Sequence, residues 1–359
     1  MRRLCSIRGM AMTKKERVLA AISHIQPDRV PKGELGIEDK LLDALTDNMV
    51  SADSSPYAKK IAARELLGMD LINIHEYPMQ PIGTTPNGET VFRGECGEEF
   101  SFHGDSSDLL KKAVEGFDDC DDFSMPDISI CTTKELDYVR QHSDLFCMVQ
   151  INGPIAALTW MQGIEDMCIA AMTNLDSVIR VANKVMDFEI ARAKIFIDHG
   201  ADAVLMGEDI AFNSGLLMPP YVMDQLGWPI YKRIIKEIKS YKDIPVFMHT
   251  DGNISSVIEN IIACGFDGLQ SLQPSAGVDI YKVKELYGDR ICLMGNVDLN
   301  YLLPFGTPEQ VAESTVELIE KCGKGGGFIL SSCNILTNAV PKENALAMYR
   351  AAEQKIRAI

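Results

Sequence analysis

Eight apolar runs punctuate the chain, at 29–35, 70–76, 145–154, 203–209, 244–252, 265–273, 290–298 and 327–334, and most close on glycine or polar residues. Near-continuous apolar runs of this length predict parallel strands buried on both faces, because a strand with one wet face would alternate. Helical periods lie between them. Val178, Val181, Val185, Met186, Ile190 and Ala193 predict a helix over 177–198, and Val311, Val316, Leu318 and Ile319 predict another over 308–321. A further helix is expected over about 14–23, with Thr13 as its N-cap and Glu16 three residues on. Alternating strands and helices predict an α/β fold. A doubly wound open sheet would alternate too, but eight units favour closure into a (β/α)8 TIM barrel, one domain spanning 12–359.

One stretch breaks the rhythm. Over about 81–131, two short strands at 84–92 and 97–102 with turn residues between them predict a β-ribbon inserted after strand 2. An acidic stretch at Asp118, Asp119, Asp121 and Asp122 follows it. The ribbon either covers the mouth of the barrel or is a surface ornament with a solvated charge run.

Composition narrows the partners. With 46% hydrophobic and 24% charged residues, the chain has the make-up of a globular protein with a large core. Thirty-five basic against 51 acidic residues leave a net charge of −16, a field that repels phosphate backbones and anionic lipid. Nucleic acid and membrane surfaces are therefore excluded as expected partners. No apolar run reaches the roughly 18 residues of a spanning helix. Ten cysteines lie scattered without a disulfide framework, which points to reduced thiols and a cytoplasmic setting. The basic start has no apolar stretch after it, so residues 1–11 are expected to be a disordered leader rather than a secretion signal.

In a barrel the chemistry sits at the C-terminal strand ends. Here those ends carry Glu34, His75, Glu76, Gln150, Asn152, Glu208, Asp209, His249, Asp251, Gln273, Asn296, Asp298 and Cys333. His249 and Asp251 stand two apart on one strand, so their side chains share a face. With the Cys333 thiolate they form a donor set of the kind zinc takes, with room left for a substrate. Two blander readings stand beside it: His249 as a substrate-binding histidine and Cys333 as a small core residue. Glu208 and Asp209 suit a general acid or base, a metal ligand or a support for His249. Asn152, Gln273 and Asn296 are read as substrate-binding. The glycine-rich stretch 323–327 precedes the last strand, at the barrel floor, so it is read as a tight turn rather than a phosphate cradle. Trp160 and Trp228 are read as packing residues.

Several segments in order resemble the uroporphyrinogen decarboxylase superfamily. Glu16-Arg17-Val18-Leu19-Ala20-Ala21 with Pro27-Asp28-Arg29-Val30-Pro31 is similar to its opening. Gly153-Pro154, Gly200-Ala201-Asp202-Ala203, His249-Thr250-Asp251-Gly252 and Gly295-Asn296-Val297-Asp298 continue the pattern, as do Phe305-Gly306-Thr307-Pro308-Glu309 and Val340-Pro341-Lys342-Glu343-Asn344. The resemblance runs from about Thr13 to the end and implies a (β/α)8 barrel.

The decarboxylases of that superfamily resemble one another in an arginine-rich N-terminal segment. The matching stretch here, Val30-Pro31-Lys32-Gly33-Glu34-Leu35-Gly36, has no arginine pair, which disfavours a substrate of many carboxylates. The other branch, the corrinoid-dependent methyltransferases, implies zinc held by a His-x-Cys pair and a distant Cys. Those positions fall on His249 and Cys333, with Asp251 at the middle cysteine. A carboxylate there makes a harder, more Lewis-acidic site, suited to polarising an ether oxygen. The resemblance thus implies methyl transfer from a small methylated, methoxylated substrate to the Co(I) of a separate corrinoid protein. On that reading zinc is bound by His249, Asp251 and Cys333, with Glu34, His75 and Glu208 as catalytic residues. The chain lacks the Asp-x-His-x-x-Gly pattern of a corrinoid module, so the corrinoid is expected on a partner. A decarboxylase-type lyase, a methylcobamide:thiol methyltransferase and a non-catalytic scaffold are the alternatives.

Overall fold

The computed structural model of the chain describes residues 11–51, 54–103, 106–117 and 123–353. The expected leader, apart from residue 11, and the acidic stretch 118–122 lie outside the described residues.

Thirteen strands form in chain order: β1 (Leu71–Ile74), β2 (Gln80–Thr84), β3 (Thr90–Arg93), β4 (Glu99–His103), β5 (Ser106–Lys111), β6 (Phe146–Asn152), β7 (Ala203–Gly207), β8 (Ala211–Phe212), β9 (Gly215–Leu216), β10 (Val246–Thr250), β11 (Gly268–Ser271), β12 (Cys292–Val297) and β13 (Phe328–Ser332). Seven of them make one curled sheet, in the order β1-β6-β7-β10-β11-β12-β13, and every pairing in it is parallel. Helices Leu175–Asp198, Trp228–Tyr241 and Pro308–Cys322 cover its outer face.

The run at 29–35, expected to be a full strand, is not one. Pro31 has no N–H to donate, and the segment makes only the bridge from Lys32 to Leu330. Gly33 N donates to Leu330 O at 2.9 Å, Leu330 N to Pro31 O at 2.9 Å, and Leu71 N to Lys32 O at 3.2 Å. That single link spans the gap between β13 and β1, the two edges of the sheet.

Alternate residues point inward. Leu71, Phe146, Met148, Ala203, Leu205, Phe247, Cys292, Met294 and Ile329 pack together inside the sheet. Val18, Ala21 and Ile22 of helix Lys14–Ile22 close the floor of this cluster, and Leu35 covers it on the side of the mouth. The helix begins with the expected capping box: the Thr13 side chain accepts from Glu16 N, and the Glu16 carboxylate accepts from Thr13 N at 2.9 Å. Two residues further along the same strands, the inward positions turn polar at Asn73, Gln150 and His249. Each strand therefore runs from an apolar floor to a polar mouth.

Between β1 and β6, where a two-stranded ribbon was expected, stands an antiparallel sheet of four strands, β2-β3-β4-β5. Every residue of β2 is exposed, so it shows no buried face for a hydrophobic pattern to reveal. Phe100 on β4 meets Trp160 of helix Pro154–Gln162 edge-on, with ring centroids 5.1 Å apart. Ala113 N also donates to Met161 O at 2.8 Å. The small sheet is thus docked against the barrel rather than hanging free.

Candidate functional site

His249 is the last inward residue of β10, below the turn at Asp251. Its Nδ1 is hydrogen-bonded to Gln270 Oε1 on the neighbouring β11, and Gln270 Nε2 is held by Ser332 O at 3.4 Å. Because that amide N–H is committed to a carbonyl, Gln270 offers its oxygen to the ring. Nδ1 then carries the proton, and the Nε2 lone pair is left for another partner. Asp209 Oδ1 lies 3.8 Å from Nε2. The ligand atoms of Asp209, His249 and Asp251 all fall within 4.8 Å of one another. Burial works to lower the His249 pKa, but the nearby Asp251 and Asp209 carboxylates and the Gln270 hydrogen bond raise it overall.

Asp251 is held from both sides. Ser271 Oγ donates to its Oδ1 at 2.6 Å and Asn334 Nδ2 to its Oδ2 at 2.7 Å. Ser271 and Leu272 sit at φ 95° and 53°, and Asn296 at 75°, conformations that non-glycine residues rarely adopt. Three such residues at the ends of β11 and β12 mark a rim held in shape by its surroundings. Gly295 belongs to this rim: at φ 119° a Cβ there would lie 2.5 Å from Ser271 O.

The other strand-end residues go elsewhere. Glu34 alternates with inward Leu35 and therefore points outward. It is fully buried, and it accepts from Ser332 N at 2.5 Å, Ser332 Oγ at 2.7 Å and Tyr349 OH at 2.9 Å. Burial pushes its pKa up to about 7. Glu208 also points outward, accepting from Ile155 N and Ala156 N at 2.8 Å each and from Tyr231 OH at 2.7 Å. It thereby caps helix Pro154–Gln162, and a Cβ at Gly153 would overlap its carboxylate. Glu76 caps helix Lys134–His142 in the same way, through Glu135 N at 2.9 Å. Cys333 is buried, its thiol pushed up to about 12 by desolvation. It stands outside the group formed by Asp209, His249 and Asp251. Gln273 accepts from Gly252 N at 2.9 Å, Asn296 Nδ2 donates to Leu272 O at 2.5 Å, and Asn152 Nδ2 lies 3.5 Å from Glu189.

Two cavities lie near the metal-type cluster, and His75 lines both. One, about 360 Å3, is lined by His249, Asn73, Gln150, Lys60, Arg64 and Asn334 among others. The second, about 290 Å3, lies under the four-stranded sheet, walled by Tyr77, Phe100, Phe102, Trp160 and Met161, with Asn152 and Glu189 on its rim. His75 is open to the cavity but ringed by protein, and burial with the positive charges of Arg192 and Lys60 lowers its pKa to about 4. Beneath the second cavity, buried Arg192 bonds Glu189 at 3.1 Å, pairs with Glu95 and lies 4.4 Å from the Tyr77 ring centroid. Sequence reasoning missed Gln270, Ser271, Asn334, Arg64 and this arginine cluster. Gln270 alone carried a signal, being a polar side chain inside an apolar run.

The profile described as "Uroporphyrinogen decarboxylase (URO-D)" matches residues 97–355, more than half of the chain. The chain belongs to the URO-D family. Its relatives divide between two activities. It is 24% identical over 204 residues to a methylated-thiol–coenzyme M methyltransferase of Methanosarcina mazei, 57% of this chain and 52% of that one. It is 24% identical over 205 residues to a methylcobamide:CoM methyltransferase of Methanosarcina barkeri, 57% of each. It is 28% identical over 146 residues to a uroporphyrinogen decarboxylase of Chlorobium phaeovibrioides, 40% of this chain and 38% of that one. The chain spans about half the length of the curated relatives it matches. A solved methyltransferase from Methanosarcina mazei superposes with a TM-score of 0.74 at 20% identity, covering 95% of this chain and 98% of that one. That likeness gives this URO-D member its fold.

Proposed function

We propose that this URO-D family member is a corrinoid-dependent methyltransferase that takes the methyl group from a methoxylated aromatic and passes it to the cobalt of a separate corrinoid protein. The observation that carries this reading is the convergence of Asp209, His249 and Asp251 at the polar mouth, near two cavities that share His75. Cavities of about 290 and 360 Å3 suit a single-ring ligand rather than a tetrapyrrole with its carboxylate arms. On this reading the 30–35 segment counts as the eighth stave of a closed (β/α)8 barrel, and the four-stranded sheet is the insertion that roofs the second cavity. The described cysteines are free thiols, which supports a reducing, cytoplasmic setting.

The donors fit a divalent ion. An imidazole with its far nitrogen fixed by Gln270 and a carboxylate steadied by Ser271 and Asn334 have the supported form that metal ligands take. One nitrogen with carboxylate oxygens suits zinc or another ion of similar hardness. The proposed set is Asp209, His249 and Asp251, and it leaves Cys333 out. An ion held there supplies Lewis acidity to the ether oxygen. The chain does the rest: Tyr77, Phe100 and Trp160 seat the ring and exclude water. Buried Tyr77 Oη has no partner among the described residues and offers a hydrogen bond to a ring substituent. His75, uncharged at neutral pH, offers a ring N–H to the departing oxygen.

The test is methyl transfer to cob(I)alamin from a panel of methoxyaromatics and methylthiols, followed through the cobalt spectrum, with zinc content measured alongside. Transfer from the methoxyaromatics that a chelator abolishes is the expected result. Zinc-loaded protein that transfers no methyl group from any donor overturns the reading, and transfer from methylthiols alone replaces the donor class.

A further inference from the structure

Among the described residues, the buried and half-buried cations of the barrel wall mostly have a carboxylate partner. Arg17 and Arg29 share Asp70, Arg192 has Glu189 and Glu95, and Lys60 holds both oxygens of Glu135 at 2.8 and 2.7 Å. Arg64 differs. It is only 2% exposed, yet no carboxylate pairs with it among the described residues. Its Nη1 donates to the carbonyl of Lys60 at 3.0 Å, and its Nε has no partner. The carboxylates whose fields reach it are already engaged: Glu135 with Lys60, and Glu34 with Ser332 and Tyr349. A guanidinium cannot shed its charge by losing a proton at physiological pH, and an unpaired buried charge is costly. Arg64 lines the same cavity as His249.

Asn73, which lines that cavity too, holds a second orphan atom. Asn73 Nδ2 donates to Gln150 Oε1 at 2.9 Å, which fixes the amide, and leaves its buried Oδ1 without a partner. An unpaired cationic donor and an unpaired acceptor on one cavity wall together describe a ligand with an oxyanion beside an O–H or N–H.

We propose that Arg64 forms the recognition site for an oxyanion, a carboxylate or sulfonate, carried by the small molecule that enters the cavity beside His249. The proposal rests on the methyltransferase reading only for what reacts. It makes the methyl donor an anionic aromatic ether, seated with its charged group at Arg64 and its ether oxygen toward His249. The planar guanidinium suits this task because it meets two oxygens at once.

The experiment is calorimetric titration of the metal-loaded protein, without corrinoid, with 3-methoxybenzoate, 3-methoxybenzenesulfonate and the uncharged 3-methoxybenzamide. The wild type is expected to bind one of the anions about 30-fold more tightly than the amide. The tighter anion identifies the oxyanion. Arg64→Met should erase that preference by bringing the anions down to the affinity of the amide, and Arg64→Lys should restore part of it. If Arg64→Met does not fold, the wild-type comparison alone decides. Equal affinity for the amide and both anions overturns the inference. An anion preference without methyl transfer leaves the oxyanion site standing while the reaction fails. Transfer without the preference does the reverse.

Discussion

Glu208 and Asp209 are neighbours in the chain and belong to different machines. Asp209 points inward and comes within 3.8 Å of His249, at a mouth where its side chain is 62% exposed. Glu208 points outward, fully enclosed, and holds two backbone N–H groups and a tyrosine hydroxyl. The pattern repeats. His249 and Asp251 face the opening, whereas Glu34 and Glu76 are spent on strand-to-helix joints. In a barrel strand, one residue of register separates the groups that can meet a ligand from the groups that hold the staves to their helices.

The largest effect that would sharpen this division comes from the inner set. His249→Ala should lower methyl transfer on the order of 10³-fold and release the bound ion, with the melting temperature unchanged. Metal analysis and a melting curve on one sample check it, and a large fall in melting temperature would break the distinction. Glu208→Ala should do the opposite. Three donors lose their acceptor inside the protein, so stability should fall by roughly 2–4 kcal/mol in urea unfolding, while the folded fraction keeps its metal.

Glu34 carries a pH signature of the outer set. Its pKa is raised from the usual 4.5 to about 7 in the folded state, so the fold favours the protonated carboxyl. The contribution is therefore most favourable below about pH 4.5 and is lost as pH rises through 7, by up to roughly 3 kcal/mol. Glu34→Gln should flatten the stability profile between pH 5 and 8 relative to the wild type. A wild-type profile that rises over that interval with no difference in the variant would contradict the assignment.

Smaller effects test the supports. Ser271→Ala or Asn334→Ala should each weaken metal affinity by about 10- to 100-fold without changing the fold. Cys333→Ser should change metal content least of all. A loss equal to that of His249→Ala would bring the sulfur back into the donor set.

Much of the fold could be read from the chain because strands buried on both faces leave long apolar runs, and seven of the eight runs became sheet strands. The first run lost its ladder to Pro31 and the short link it leaves. The insertion was read as two strands rather than four because β2 has no buried residue to show a pattern. At the site, the His249-Thr250-Asp251 spacing was legible because His249 lies on β10 and Asp251 follows directly on its end, so the period of two brings both to one side. The roles of Glu34 and Glu208 were not, since direction depends on the register against the core: Leu35 and Leu205 point inward, so their even-numbered neighbours cannot. Arg64 gave no signal at all. In a helical sequence a cation looks solvated, and only the packed structure shows that no carboxylate among the described residues answers it.

The helix that carries Val18, Ala21 and Ile22 seals the floor of the barrel, and the cavity beside His249 opens toward the other end. A bulky visitor at that threshold shuts in anything seated behind it. Under the proposed reaction the small donor has to be seated before the cobalt carrier arrives, and the phenol it leaves stays trapped until the carrier departs. Turnover then follows a compulsory order, in which excess carrier inhibits by closing an empty chamber.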